Sequence, residues 1–397
     1  MKQKKALVIG EAFYPEDFLI NDLVKEWEKD NFCFEVLTRA PSYPFGKVYK
    51  GYKNKIYQTT YFNSIKIHRF PVIQGYEKST LIKILNYLSF VFWSCWIVLF
   101  IGHRFDKVFI YQTGPLTLAT AGILLKKFYK AKVTIWTQDL WPETVYAYGF
   151  KQTRLLCFFL DCFVKWIYEN CDQIMVSCEG FINRIHKYVP EATIEFVPNW
   201  PLVEYHPLQK KQLPGRFNFT FAGNIGKVQN LENIIRGFSV FVKDNPEVYL
   251  NIIGDGSFLP ELKELVLKEG ISNINFTGRI PLNEIADYYE ASDVLVLSLK
   301  DTPLYEITIP SKFQTYLSTQ KPIYAVFKGE VKNLVEKYHI GFVAPPSDLN
   351  EIAKGFNTFL NLSEEKMKDI STNSSLLLQS VFNRNSIINK INSIFWE

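Results

Sequence analysis

Short apolar runs alternate with longer stretches of helical spacing along this 397-residue chain, and the alternation breaks once and then restarts. Such a pattern predicts parallel sheets joined by crossover helices, built twice. In the first half, strands are expected at residues 6–10, 34–38, 65–70, 107–111, 133–137 and 173–177. One helix follows Asp17 and carries Leu19, Leu23 and Trp27 on one face. Another starts at Pro115, a favoured first-turn residue, and runs to about 128. Around Val197-Pro198-Asn199-Trp200-Pro201, followed by Pro207 and Pro214, no regular element fits, and a linker is expected. It would separate a Rossmann-like domain over 1–200 from a second over 208–379, with a last helix over residues 380–397 packing back on the first. Beyond the linker, strands are expected at 217–222, 249–253, 274–277, 294–298 and 322–326. Helices start near 231, 259, 282 and 311, and two helical patterns, 363–378 and 385–396, close the chain.

Length alone argues for two cores rather than one. A hydrophobic share of 47% against 21% charged is that of a folded chain. The net charge of +5, without a long Lys/Arg block, argues against a nucleic-acid partner and leaves an anionic lipid surface open. The six cysteines form no C-x-x-C pair, and no Cys/His spacing suits zinc, so reduced thiols in the cytoplasm are expected. The N-terminal lysines run straight into Ala6-Leu7-Val8-Ile9-Gly10, too short for a signal peptide, so secretion is not expected.

Residues 81–101 are the most apolar part of the chain. A membrane span has about this length, near 20 residues. However, Lys83 and Asn86 interrupt its start, and a span would put strands 65–70 and 107–111 on opposite sides of the bilayer. Two readings remain. In one it is a buried core helix. In the other it is a helix on the sheet whose outer face, with Phe92, Trp93 and Trp96, rests in lipid, flanked by Lys78, Lys83, His103 and Arg104 at head-group level.

Chemistry-bearing motifs gather at expected strand ends. Phe219-Thr220-Phe221-Ala222-Gly223-Asn224-Ile225-Gly226-Lys227 reads as a strand, a G-x-x-G turn and the approach to a helix. Glycines let backbone approach an anion, free N–H groups and the helix dipole favour it, and Lys227 adds charge. An unliganded tight turn is the alternative, and the motif is not G-x-G-x-x-G, which counts against a dehydrogenase. Gly254-Asp255-Gly256 and Gly278-Arg279 end two further strands. In Pro310-Ser311-Lys312, Ser311 stands at a helix start, as a cap or a ligand contact. A lysine at that end opposes the helix dipole, and a bound diphosphate would explain Lys312. In the first half, Asp139 follows strand 133–137 and either faces a ligand or caps the turn before Pro142. Glu16 and Glu143 are weaker candidates of the same kind.

As an ordered set these segments resemble family 4 retaining glycosyltransferases. More narrowly, they resemble bacterial N-acetyl-L-fucosaminyl transferases of surface-polysaccharide assembly. The resemblance is carried by Gly223-Asn224-Ile225-Gly226 with Gln229, Gly254-Asp255-Gly256, Gly278-Arg279, and Pro310-Ser311-Lys312 with Tyr316-Leu317 and Lys321-Pro322. In the first half it is carried by Tyr14-Pro15-Glu16, Pro41-Ser42-Tyr43-Pro44 with Gly51-Tyr52, and Gln138-Asp139-Leu140-Trp141-Pro142-Glu143. It implies a GT-B fold: α/β, two Rossmann-like domains whose parallel sheets face each other across a cleft. It implies a nucleotide-diphosphate sugar as substrate, held by Gly223, Asn224, Gly226, Lys227, Gly254, Arg279, Ser311, Lys312 and Thr315. An acceptor would lie at Tyr14 and Pro15, with Asp139 and Glu16 as candidate catalytic groups. It also implies retention without a metal or other cofactor, and the sequence has no Asp-rich metal motif. The expected donor is a UDP-linked N-acetylated deoxyhexosamine. The expected acceptor is a lipid-linked saccharide for capsule or O-antigen, reached from the cytoplasmic face of the inner membrane by a peripheral protein. An oxocarbenium-like transition state with a charging diphosphate needs oriented N–H groups and cations, which Gly223 to Lys227, Arg279 and Lys312 would supply.

Several positions depart from the family pattern. Two glutamates eight residues apart are usual, yet the second falls at Thr315 and Glu306 is out of register with the first. The usual Arg and Lys after the first strand of the second half are Asn224 and Gln229. The paired glycines of the first turn become Pro15-Glu16-Asp17-Phe18, and a usual His-Asp pair becomes Gln138-Asp139. A nucleotide-sugar epimerase is an alternative, but none of the five histidines stands at an expected strand end. A non-catalytic nucleotide-sugar-binding homologue is the other.

Overall fold

The computed structural model describes residues 4–76, 79–147, 149–203 and 205–397. Its contacts divide the chain into two units, residues 1–198 with 385–397, and residues 199–384.

Unit 1 begins with β1 (Ala6–Gly10), α1 (Leu19–Lys29), β2 (Phe34–Arg39), β3 (Gln58–Phe62), β4 (Ile65–Phe70) and α2 (Thr80–Ile101). It continues through β5 (Lys107–Gln112), α3 (Thr120–Tyr129), β6 (Lys132–Thr137), α4 (Glu143–Ala147), α5 (Arg154–Glu169), β7 (Gln173–Val176), α6 (Gly180–Ile185) and β8 (Ile194–Phe196). Among the described residues the strands form one sheet ordered β3-β4-β2-β1-β5-β6-β7-β8, parallel except for β3. The six expected strands are present. The sequence reading missed β3 and β8, a polar edge strand and a three-residue one, because neither carries an apolar run.

The strand order decides the fate of the apolar segment. β4 and β5 lie in the same sheet, so α2 between them is a crossover helix and not a span. Asn86, Phe90, Ser94, Ile97 and Val98 form its buried face. Asn86, which reads as an interruption in the sequence, accepts the Ile73 N–H at 3.0 Å and so pins α2 to the loop after β4. By the right-handed crossover rule α2, α3 and α5 lie on one face of the sheet and α1 on the other. Packing agrees: a Cβ on Gly102, directly after α2, would overlap Leu125 and Tyr129 of α3, and Lys127 of α3 lies over Trp166 of α5. On the opposite face Trp27 of α1 stacks on Phe395 of the last helix and meets Phe109 of β5 edge-on.

Unit 2 runs β9 (Phe217–Ala222), α7 (Leu231–Phe241), β10 (Val248–Ile253), α8 (Leu259–Lys268), β11 (Ile274–Gly278), α9 (Ile285–Ala291), β12 (Val294–Ser298) and α10 (Pro303–Glu306). It closes with α11 (Ser311–Ser318), β13 (Ile323–Val326), α12 (Gly329–Tyr338), β14 (Gly341–Ala344), α13 (Leu349–Leu360) and α14 (Glu364–Ser380). α15 (Arg384–Phe395) returns to unit 1. The sheet is parallel, ordered β11-β10-β9-β12-β13-β14. Its core packs Phe219, Phe238, Phe241, Tyr324, Phe356 and Phe359, aromatic rings meeting mostly edge-on at 4.8–6.2 Å. That geometry suits their quadrupoles and buries large apolar area per residue.

Candidate functional site

In an open parallel sheet the crevice at the strand C-termini opens where the chain reverses its direction of travel across the sheet. Unit 2 has that reversal beside β9: the chain moves outward from β9 to β10 and β11, then crosses back to β12. The loops after β9 and β10 meet backbone to backbone. Gly223 N–H donates to the Ile253 carbonyl at 2.9 Å and Ile225 N–H to that of Asp255 at 2.8 Å. Gly254 N–H continues the series to Gly278 at 2.8 Å. A Cβ on Gly254 would lie 1.9 Å from the Gly223 carbonyl oxygen, and its φ is +139°, so only glycine fits. Part of the expected phosphate turn therefore serves loop packing: the N–H groups of Gly223 and Ile225 are spent inside the protein.

What faces Gly223 is a side chain. The Tyr316 hydroxyl accepts the N–H of Ala222, the last residue of β9, at 3.0 Å and ties α11 to that strand. One turn earlier on the same helix face stands Lys312. A Cβ on Gly223 would lie 3.0 Å from its Cδ and 3.2 Å from its Nζ. The ammonium sits 3.9 Å from the centroid of the Phe221 ring and donates to Gln229 Oε1 at 2.5 Å. Among the described residues no carboxylate lies within ion-pair distance of it. Burial without a counter-charge pulls its pKa down to about 7. Gln229, at a position where the resembled family carries a cation, here holds Lys312 in place.

The other expected donor residues are placed differently. Asn224 and Lys227 are exposed on the turn, and Gly226 opens a 3-10 turn, Lys227–Gln229, ahead of α7. Ser311 is exposed in the first turn of α11 with Pro310 at the N-cap and makes no cap bond, which removes the capping reading. Thr315 is buried in the same helix. Arg279 follows the edge strand β11, two strands from β9.

Unit 1 reverses between β1 and β5, since β1 leads outward to β2 and β4, and α2 crosses back to β5. Its rim is built from charged side chains. Glu11, after β1, forms an ion pair with Arg39, Oε1 to Nη1 at 2.7 Å. Asp139, after β6, accepts the Gly114 N–H of the loop after β5. Burial pushes both carboxyls upward, opposed at Glu11 by Arg39 and at Asp139 by the Gly114 N–H; Lys83 of α2 opposes it at both. Lys83 itself is lowered by burial and raised by these two carboxylates. Arg104 is likewise engaged, with Glu35 at 2.6 Å, and His103 is exposed near Tyr129; Lys78 lies outside the described residues. The reading of the sequence passed over Glu11 and Arg39. Their one signal was position, each at a strand end.

Glu16, a catalytic candidate in the sequence, anchors loops in the structure. It is buried, and its carboxylate accepts the N–H groups of Ser42 at 2.7 Å, Tyr43 at 2.6 Å and Phe13 at 3.1 Å. These bonds join the loops after β1 and β2 through both carboxylate oxygens. Tyr14 is half-exposed, stacked on Phe62 at 4.2 Å, and its carbonyl accepts from buried Arg69; Pro15 follows it through a cis peptide. Among the described residues no group of three or more His, Cys, Asp or Glu side chains could hold a metal ion.

The outer face of α2 is apolar. Leu88, Phe92, Trp96 and Phe100 are more than half exposed, while Trp93 is half-buried against Phe92. Only 28% of the most apolar stretch of this helix is buried. On α5, beyond α3, Leu155, Phe158 and Phe159 are exposed to a similar extent. α2 and α3 carry lysines but no acidic residue.

Residues 208–376, within unit 2, match the family Glycosyl transferases group 1. The chain is 26% identical over 264 residues to the probable glycosyltransferase WbjE of Pseudomonas aeruginosa, covering 63% of this chain and 65% of that one. It is 23% identical over 292 residues to the putative colanic acid biosynthesis glycosyl transferase WcaI of Escherichia coli, covering 68% and 71%. The matches thus span about two thirds of those relatives. Sucrose-phosphate synthase from Thermosynechococcus elongatus shares the fold over 98% of both chains, with a TM-score of 0.73 at 15% identity. Anabaena HepE, solved with UDP and glucose, does so over 98% of both chains at 0.69 and 13%. The chain has the α/β, doubly Rossmann-like architecture of GT-B glycosyltransferases, and unit 2 carries a group 1 glycosyl transferase domain.

Proposed function

We propose that the whole chain is a glycosyltransferase that takes a sugar from a nucleoside diphosphate held by unit 2 and delivers it to a lipid-linked saccharide bound by unit 1. The observation that carries this reading is Lys312 poised over Gly223 at the strand reversal beside β9. A lysine desolvated without a carboxylate partner is a site waiting for an anion. A diphosphate arriving there restores the lysine's proton, and the ammonium then stabilises the charge that develops as the diphosphate leaves. UDP is the favoured nucleotide because the similar Anabaena HepE was solved with it. The donor sugar is an N-acetylated deoxyhexosamine, transfer proceeds with retention and without a metal, and the product enters capsule or O-antigen. These finer statements rest on the sequence resemblance, and the polysaccharide setting also agrees with the relative described as acting in colanic acid biosynthesis. The exposed aromatic face of α2, with Phe92 and Trp96 outermost, supports a peripheral position at the cytoplasmic face of the inner membrane.

The test is nucleoside diphosphate release from a panel of UDP- and GDP-sugars, with and without membrane lipid extract. Release only when extract is present is the expected result. Interconversion of the free nucleotide sugars, or binding without release under every condition, would overturn the proposal.

A further inference from the structure

The rim of unit 1 holds a carboxylate that no motif identified. Glu11 and Asp139 come from β1 and β6, which flank β5 on either side, and both reach the same residue in the loop after β5. Asp139 accepts the Gly114 N–H, and a Cβ on Gly114 would lie 2.8 Å from Glu11 Oε2. Gly114 has φ +77°, so glycine is needed both for the backbone and to let Glu11 in. A second observation shows that this crevice has an unfilled polar valence. Gln112, the last residue of β5, is fully buried and donates through Nε2 to the Gly114 carbonyl at 2.7 Å, while its Oε1 has no hydrogen-bond partner. Unpaired buried polar atoms are uncommon and mark places completed by a ligand or water. The reversal between β1 and β5 is also where an open parallel sheet accepts a ligand.

The charges around Glu11 limit what that ligand can be. Arg39 from β2 pairs with it, Lys83 from α2 and Asp139 from β6 act on it electrostatically, and Glu16 lies behind. Arg39 and Lys83 offset two of these three carboxylates and the remaining one disfavours an anion, while the buried Nε and Nη1 of Arg39 lack hydrogen-bond partners and disfavour a cation. A neutral ligand rich in hydroxyls suits such a site, because a hydroxyl can donate to the carboxylates and the amide oxygen and accept from the guanidinium. We propose that Glu11 and Asp139 form a carboxylate pair across Gly114 that binds neighbouring hydroxyls of the acceptor saccharide. This rests on the reading of unit 1 as the acceptor-binding half. Glu11 would then hold the acceptor at one hydroxyl while Asp139 takes another.

Saturation-transfer NMR with a panel of methyl glycosides (gluco, galacto and N-acetylglucosaminide, both anomers) tests this on the full-length protein without needing turnover. The wild type should give saturation transfer with at least one glycoside, undiminished by excess UDP, and Glu11→Gln and Asp139→Asn should each reduce it at least fivefold. Because Glu11→Gln strands Arg39, the double variant Glu11→Gln/Arg39→Gln, which removes both members of the pair, controls for misfolding. Its thermal melt should match the wild type, and its glycoside signal should still be lost. Signal retained in the Glu11 variants, signal displaced by UDP, or no glycoside binding at all would each overturn the proposal. Failure of the nucleotide-sugar assay alone would instead strike the transferase reading, since this measurement does not depend on it.

Discussion

In unit 2 the loops beyond the central strands meet through backbone, glycine against glycine, with one lysine above them; in unit 1 the corresponding loops meet through side chains, Glu11 with Arg39 and Asp139 with Gly114. Both rims sit where a parallel sheet reverses direction. The contrast teaches that one topology supplies two kinds of site. Where the rim offers a cation without a carboxylate, it suits an anion. Where cations and carboxylates compensate each other, it suits a neutral ligand bearing hydroxyls.

The sharpest way to break this contrast is to remove the lone cation. Lys312→Met should weaken UDP binding by about 10–150-fold, the range of one charge-assisted hydrogen bond of roughly 1.5–3 kcal/mol, as read by calorimetry. It should leave methyl glycoside binding unchanged. Equal weakening of both would mean that the two rims are not chemically separate.

The glycine contact comes next. Gly254→Ala forces a methyl group into the Gly223 carbonyl and should lower unfolding stability by about 1–3 kcal/mol in urea titration, with a matching loss of UDP affinity. Gly51→Ala, also at a strongly positive φ (+90°) but with open space around it, should cost less. Equal losses would make backbone conformation, and not the close approach, the cause.

A pH series should show a smaller, signed effect. Lys312 titrates near 7 when the site is empty, against the usual 10.5 in the unfolded chain. Below about 7 both states hold the proton and the fold carries the cost of a buried charge. Between that point and 10.5 the unfolded chain binds more protons, so this group's contribution to stability rises with pH. UDP binding has the opposite trend: it should take up a proton above pH 7 and weaken with rising pH, by at most about tenfold per unit. In Lys312→Met, proton uptake measured by calorimetry in two buffers should vanish.

The mildest expected change concerns the apolar face. Phe92→Ser/Trp96→Ser should shift partitioning onto anionic vesicles several-fold, at about 25 cal/mol per Å² of apolar surface withdrawn, without moving either binding constant. Unchanged flotation would remove lipid contact from the account.

Much of this was legible in the sequence because it depends on local periodicity. The alternation of apolar runs and helices specified two parallel sheets, and glycines at strand ends marked the rim of unit 2. The roles of individual polar residues were not legible, since they depend on partners far along the chain. Glu16 looked like a catalytic group until Ser42 and Tyr43 came to it, and Asn86 and Lys83 looked like flaws in an apolar helix until the sheet met them. The sequence by itself thus determined the layers, the strand ends and the lysine that opposes its helix dipole. Only the tertiary structure decided that Lys312 covers Gly223 and that Glu11 meets Asp139 across Gly114. Strand order is set by crossovers that no local window contains, and strand order decides which loop ends share a crevice.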